Sequence, residues 1–192
     1  MSKSVLYFSM SVDGYIAGPD DRPGNPGGDG FDRLHRWFVP DGKRFARPDG
    51  AAGELYDEMQ ATGAVLTGRH TAEQAGHWGG DIHGAPIFVL SHHDPSPAAA
   101  AYPLVRYVKD GIVSAMEQAK TAARGRNVMV HGAVTAQGAL AAGVVDELAI
   151  SVVPVLFGAG RRLFDLLPAR IELEVLRVID TPEATHMRYR VR

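Results

Sequence analysis

Asn127-Val128-Met129-Val130-His131-Gly132-Ala133-Val134-Thr135, followed a few residues later by Ala141-Ala142-Gly143-Val144-Val145-Asp146-Glu147-Leu148-Ala149-Ile150-Ser151-Val152-Val153-Pro154-Val155-Leu156-Phe157-Gly158-Ala159-Gly160-Arg161-Arg162-Leu163-Phe164, decides how this chain folds. The pattern reads strand, small-residue turn, helix, strand, glycine loop. Val128, Met129 and Val130 form an uninterrupted apolar run, the mark of a strand buried on both faces. His131-Gly132-Ala133 carries little bulk, so the backbone there can approach a ligand. Residues 133–142 read as a short helix closed by Gly143. A helix that leaves a strand through small residues offers unpaired N–H groups and the positive end of its dipole to an anion. A phosphate is the expected occupant; tight helix–sheet packing accounts for the same spacing about equally well.

Outward from this stretch, the composition sets bounds. The chain has 192 residues, enough for one domain that buries about 70 % of its unfolded surface. Its formal charge of -2 gives no electrostatic case for nucleic acid or an anionic membrane. It has no cysteine, which excludes disulfides, thiolate zinc sites and a cysteine nucleophile. The N-terminus has no signal-peptide core, and no window approaches 18 uninterrupted apolar residues. A soluble, cytoplasmic protein is expected.

Towards the N-terminus, residues 5–10 form an apolar strand that runs into Ser11-Val12-Asp13-Gly14-Tyr15-Ile16-Ala17, where Asp-Gly signals a turn. Residues 18–30 are rich in Pro, Asp and Gly and lack periodicity, as in a functional lid or a disordered insert. Residues 31–38 suit one or two helical turns, and residues 40–50 read as a polar surface insertion. Ala52, Leu55, Tyr56 and Met59 then fall at helical spacing, with Gly63 as the stop. Residues 64–67, 86–90 and 105–108 are strands, and Asp110 is the expected N-cap of a helix carrying Ile112, Ala115, Met116 and Ala119.

Strands alternating with helices imply an α/β fold: three layers, with a mostly parallel central sheet flanked by helices. Residues 171–179 and 184–191 are extended runs around Thr181-Pro182 and imply a C-terminal antiparallel hairpin. In such a sheet, ligands bind beyond the carboxyl ends of the strands. Gly68-Arg69-His70-Thr71, Ser91-His92, Lys109 and Gly132-Ala133 each follow a strand, so they should converge on one edge as a site for a phosphate-rich ligand.

These residues resemble a known family. From Ser9-Met10-Ser11-Val12-Asp13-Gly14-Tyr15-Ile16-Ala17 to His186-Met187-Arg188-Tyr189, the chain is similar to the dihydrofolate reductase-like superfamily. Within it, the branch is that of the C-terminal reductase domain of the bifunctional riboflavin-biosynthesis deaminase/reductase. Val144-Val145-Asp146-Glu147-Leu148 and Pro154-Val155-Leu156-Phe157-Gly158-Ala159-Gly160 are the more specific marks. The resemblance implies a dihydrofolate reductase-like fold across residues 1–192, NADPH as hydride donor and a small-molecule substrate; a homodimer is one candidate assembly, which the sequence does not decide. It places Gly68, Arg69, His70 and Thr71 at the phosphates, and Arg69, Ser91 and His92 with Lys109 around the 2′-phosphate. Gly132, Ala133, Val134 and Thr135 would lie under the pyrophosphate. Ile16, Ala17 and Gly18 would face the nicotinamide, with residues 18–30 as the lid. Asp32 is the candidate proton donor, and Tyr7, Trp37 and Ser151 are expected to face the substrate.

The departures from the family concern mainly the substrate. The family has two glycines at the strand-to-helix turn, joined by a cis peptide in folate reductases; here the pair is Gly132-Ala133. The riboflavin branch carries an Asp-Asn-Pro-x-Leu-Thr-x-Arg run for the ribose phosphate, where this chain has Gln74-Ala75-Gly76-His77-Trp78. The expected function is reduction of a flat heterocycle, a pteridine or pyrimidine derivative, the family implying 5-amino-6-(5-phosphoribosylamino)uracil reductase activity. The alternatives are a nucleotide-binding module without catalysis and a phosphate-binding transferase without nicotinamide. None of the 8 histidines falls in a metal-binding spacing.

Overall fold

The computed structural model describes residues 1–22, 24–40, 45–165 and 167–192. The chain opens with β1 (Ser4–Ser11), β2 (Tyr15–Ala17), α1 (Phe31–His35) and α2 (Gly50–Gln60). Next come β3 (Ala64–Gly68), α3 (Arg69–Gln74), a 3-10 turn (Gly76–Gly80), β4 (Ile87–Leu90), α4 (Pro97–Ala100) and β5 (Val105–Val108). It continues through α5 (Gly111–Ala122), β6 (Val128–His131), α6 (Ala133–Ala141), β7 (Glu147–Val153) and β8 (Arg161–Arg162), and ends with β9 (Leu173–Asp180) and β10 (Thr185–Val191).

Eight strands form one sheet in the order β5-β4-β3-β6-β1-β7-β10-β9. The first six are mutually parallel. Only β10 runs against its neighbours, pairing antiparallel with both β7 and β9. The expected mostly parallel α/β sheet with a C-terminal antiparallel hairpin is the observed architecture.

Successive strand residues point to opposite faces, and here both faces are apolar. On one face Leu6, Phe8, Leu66, Phe88, Val128 and Val130 pack against Ala115, Met116 and Ala119 of α5 and Ala136, Ala139 and Leu140 of α6. On the other, Val65, Ile87, Val89 and Met129 meet Ala72 of α3 and Met59 of α2. Helices on both faces give the three layers.

Some local expectations needed correction. Residues 69–74 are helical although they carry no apolar period; of α3 only Ala72 is buried. The capped turn α4 and the two-residue β8 were not foreseen. Asp110 precedes α5 but makes no side-chain cap bond; Gly111, at φ +87°, turns the chain into the helix. The polar insertion expected at residues 40–50 falls partly on residues 41–44, which lie outside the described residues.

The two sequence marks at Asp13-Gly14 and at residues 154–160 belong together in space. The Asp13 carboxylate accepts hydrogen bonds from the Ser11 hydroxyl (2.6 Å), the Phe157 amide (3.1 Å) and the Gly158 amide (2.7 Å). These donors, the Ser11 hydroxyl foremost, hold its pKa down at about 2. A Cβ at Gly160 would sit 2.1 Å from the Ala17 carbonyl oxygen, so only glycine lets this loop close onto β2. The docked pair fixes β2 beside the carboxyl end of β1. Among the described residues, no helix is long and apolar enough to cross a membrane.

Candidate active site

β3 leads into α3 on one face of the sheet, whereas its neighbour β6 leads into α6 on the other. Adjacent strands that send their helices to opposite faces leave a crevice at their carboxyl ends. A cleft of about 1390 Å³ opens there and extends over the sheet towards α1 and α2. Its wall includes Ile16, Ala17, Gly68, Arg69, His70, Thr71, Ser91, His92, Gly132, Ala133, Val134 and Thr135, together with Tyr7, Asp32, Trp37 and Ser151.

Two expected residues are not in that wall. Lys109 lies at a separate shallow depression, paired with Asp94 at 2.5 Å. It follows β5, the outermost parallel strand, and its partner Asp94 also offers its backbone carbonyl to Arg69 at 3.4 Å. Gly18 is folded into its own loop, its amide bonded to the Gly27 carbonyl at 2.8 Å. The loop of residues 18–30 is closed by further bonds of its own, including Asp29 N to Pro19 O at 2.8 Å. Its Asp21 reaches His70 at 3.6 Å, so the loop spans to α3 above the cleft.

The crevice between β3 and β6 is built from two reciprocal contacts. A Cβ on Gly68 would lie 2.8 Å from the Thr135 hydroxyl, and one on Gly132 would lie 2.7 Å from the Thr71 hydroxyl. The two strand-to-helix turns are thus packed to a distance that only glycine permits. Gly132 has φ +86°, and no side chain caps the start of α6. The first amides of α6 therefore have no partner in their own helix and suit an anion. No described peptide bond is cis, so Ala133 joins Gly132 through a trans bond. Gly132→Ala is expected to cost about 1–3 kcal/mol of stability, from a backbone conformation (φ 86°, ψ 134°) that glycine alone adopts readily. It should also weaken nucleotide binding; urea denaturation and a nucleotide titration check the two effects separately.

Beside these turns, Arg69 donates to Glu73 at 2.7 Å and reaches the Asp94 carbonyl oxygen at 3.4 Å. The Ser91 hydroxyl is engaged with the His93 backbone, accepting from its amide at 3.0 Å and donating to its carbonyl at 2.9 Å.

The rest of the cleft has a polar floor. Trp37 Nε1 donates to Ser9 Oγ at 2.9 Å, and its ring meets His186 edge-on at 4.8 Å. Ser151 Oγ lies 2.7 Å from His186 Nδ1, and Thr181 Oγ1 lies 3.3 Å from His186 Nε2. Thr181 already donates its proton to the Ala184 carbonyl, so it accepts from Nε2–H, and Ser151 donates to Nδ1. Burial pushes the His186 imidazole below its usual pKa, in keeping with this neutral form. Further in, Arg188 bonds Glu147 and Glu58, Arg177 bonds Glu58, and Lys3 bonds Glu147. Burial pushes the Tyr7 phenol beside them upward.

Asp32, the candidate proton donor, lies on the exposed face of α1. Its side chain is 58 % exposed and pairs with Arg36 at 3.6 Å, so it lies at the rim of the cleft. Two further histidines, not assigned to the site from the sequence, also line the cleft. His131 ends β6 with its ring 5.6 Å from Trp78 and 5.7 Å from Phe8, and burial pushes its pKa down to about 4. His35, on α1, lines the cleft as well. Their signal in the sequence was weak: His131 ends an apolar strand, and His35 belongs to a helix too short for a readable period. Among the described residues no cluster of three or more His, Asp or Glu is arranged to hold a metal.

A mostly parallel eight-stranded sheet with helices on both faces and this carboxyl-end crevice is a dihydrofolate reductase-like fold. The chain belongs to the RibD C-terminal domain family, whose model matches residues 3–187. Among solved structures it is similar to a protein from Shewanella sp. PV-4 described provisionally as a riboflavin biosynthesis protein, at 22% identity and TM-score 0.75, with 99% of each chain covered. It is also similar to a diaminohydroxyphosphoribosylaminopyrimidine deaminase/5-amino-6-(5-phosphoribosylamino)uracil reductase from Thermotoga maritima (14% identity, TM-score 0.61), matching all of this chain but only 57% of the longer one. A dihydrofolate reductase from Enterococcus faecalis complexed with NADP(H) superposes at 16% identity and TM-score 0.58, over 98% of this chain and 96% of that one. A search of curated proteins found no match.

Proposed function

We propose that this protein is an NADPH-dependent reductase that transfers a hydride to a small planar heterocycle of the pteridine or ribosylaminopyrimidine type. The observation that carries this reading is one continuous cleft joining two different halves: the glycine turns and uncapped helix start, and the polar floor beside Trp37. The first half fits a dinucleotide. Gly132, Ala133, Val134 and Thr135 would hold the pyrophosphate, with Arg69, Ser91 and His92 at the 2′-phosphate and Ile16 and Ala17 at the nicotinamide. Bound NADPH would supply the hydride.

The second half fits a flat polar ring. Ser9 Oγ accepts from Trp37 and keeps its own proton for a ligand, while Ser151 Oγ donates to His186 and keeps its lone pairs. Trp37 and Phe38 wall this half and exclude water from the transfer. The ribose-phosphate run of the riboflavin branch is replaced by residues 74–78, which favours a substrate recognised through its ring.

Fluorescence titration of NADPH, followed by NADPH oxidation across a panel of dihydropterins and ribosylaminopyrimidines, tests the reading. Saturable binding with turnover of at least one ring is expected. Binding without turnover of any would leave a nucleotide-binding module, and no NADPH binding would remove the reductase assignment. We also propose a cytoplasmic homodimer: the sheet face at β9 leaves Leu173, Val175 and Val178 exposed, and sedimentation of the purified protein checks it.

A further inference from the structure

We propose that His35, and not Asp32, hands the proton to the bound substrate through its Nε2; this rests on the reductase reading above. His35 ends α1 and forms part of the cleft wall. Its Nδ1 lies 2.9 Å from the Phe31 carbonyl oxygen. A carbonyl can only accept, so Nδ1 carries the hydrogen, and in the neutral ring Nε2 holds the free lone pair. Nε2 has no hydrogen-bond partner among the described residues, nor is it one of the buried polar atoms sealed off without one. The ring is held between Phe31, at 4.4 Å, and Phe38, at 5.5 Å, so its orientation is fixed by packing as well as by the bond. One nitrogen is thus anchored and the other is presented to the cleft, which is the arrangement proton transfer needs.

The titratable groups facing His35 are Asp32 from its own helix and His131 from β6, close enough for the two imidazoles to oppose each other's charge. When the hydride that NADPH would supply forms a C–H bond at a ring carbon of the substrate, the C=N π bond breaks and its electron pair is left on the adjacent ring nitrogen, which requires a proton. The Nε2–H bond of protonated His35 breaks, an N–H bond forms at that nitrogen, and the imidazolium becomes a neutral imidazole. Solvent returns the proton after product leaves. Burial pushes His35 below its usual pKa of 6.5. At neutral pH the ring is therefore mostly unprotonated, and the protonated fraction grows as pH falls. kcat/KM should rise on acidification.

Two variants separate this role from a structural one. His35→Gln keeps a donor near the Nε2 position but does not titrate; His35→Asn keeps the bond to the Phe31 carbonyl and removes Nε2. The ligand probe is 7,8-dihydropterin, added to the full-length protein with NADPH. In 15N-histidine NMR, dihydropterin is expected to move the His35 Nε2 signal, identified by its loss in both variants; an unmoved signal overturns the assignment. In the kinetics, both variants should lose about 10²-fold or more in kcat/KM and show a flat profile below neutral pH. Asp32→Asn should keep the wild-type slope. A wild-type rate and slope in His35→Gln, or loss of the slope in Asp32→Asn alone, would also overturn it. NADPH binding is measured alongside: its absence in the wild type refutes the reductase reading, whereas intact NADPH binding with an unmoved His35 signal refutes only the role of His35.

Discussion

Arg69→Ala is expected to erase most of a preference for NADPH over NADH that should amount to at least tenfold in the wild type. The two nucleotides differ by the 2′-phosphate, nearly a dianion at neutral pH. Arg69 stands at the start of α3, beside the carboxyl end of β3, and its guanidinium can meet a phosphate with two parallel bonds. A charge-assisted contact of this kind is worth about 1.5–3 kcal/mol, or roughly 10- to 150-fold in affinity. Arg69 is already paired with Glu73, but this is a partly exposed i,i+4 pair, worth about 0.3–0.5 kcal/mol. Exchanging Glu73 for a phosphate is therefore favourable. Lys109, paired with the exposed Asp94, lies outside the cleft wall. NADH affinity should change little in the variant, and added salt should weaken NADPH more than NADH. Titrating both nucleotides into wild type and variant decides the matter; equal affinities in the wild type would take Arg69 out of the site.

Arg188→Leu should destabilise the fold by about 3–5 kcal/mol, because it strips a buried carboxylate of a main partner. The Glu147 side chain is 3% exposed, and its two partners are Lys3 at 2.6 Å and Arg188 at 2.6 Å. Burial alone would raise the Glu147 carboxyl, but the hydrogen bonds from Lys3 and Arg188 outweigh it and hold it below its ordinary value of 4.5. A carboxyl depressed in the folded state contributes stability above its unfolded pKa, and that stability is lost as pH falls through the folded one. Wild-type protein should therefore lose this contribution on acidification below about pH 4.5. In Arg188→Leu the balance tips towards the burial effect. The penalty is then largest at neutral pH and shrinks as Glu147 takes up a proton. Urea midpoints at neutral and acid pH measure both signs, and adding Glu147→Gln should recover part of the loss. A change below about 1 kcal/mol at neutral pH would mean that water reaches this cluster.

Both predictions depend on partners that no local pattern announces. Glu147 was legible as part of a family mark and as a residue entering a strand. That it meets Arg188 depends on β10 lying antiparallel beside β7, a pairing made across about 40 residues of chain. The Asp13 contacts to residues 157 and 158 are of the same kind. Each motif was readable by itself; the closure between them was not.

The sequence by itself determined the alternation of strands and helices, the doubly apolar central strands, the C-terminal hairpin and the glycine turns at the strand ends. Those features follow from side-chain size, hydrophobic period and backbone freedom, which act within a few residues. It also pointed to one edge of the sheet, because every loop after a parallel strand must emerge there. Tertiary structure alone decided which of those loops share a cleft. Strand order put β3 and β6 side by side, so Gly68 and Gly132 interlock, while Lys109 falls outside the cleft wall. It likewise set the surroundings of the two candidate proton donors. Asp32 and His35 sit three residues apart on one short helix, and nothing in that spacing ranks them. The packing of α1 against the sheet sets Asp32 in solvent with Arg36, and places the His35 ring in the cleft wall beside Phe31 and Phe38. Burial, and with it the electrostatics of a titratable group, is a property of the surroundings in space, and the chain acquires those surroundings only on folding.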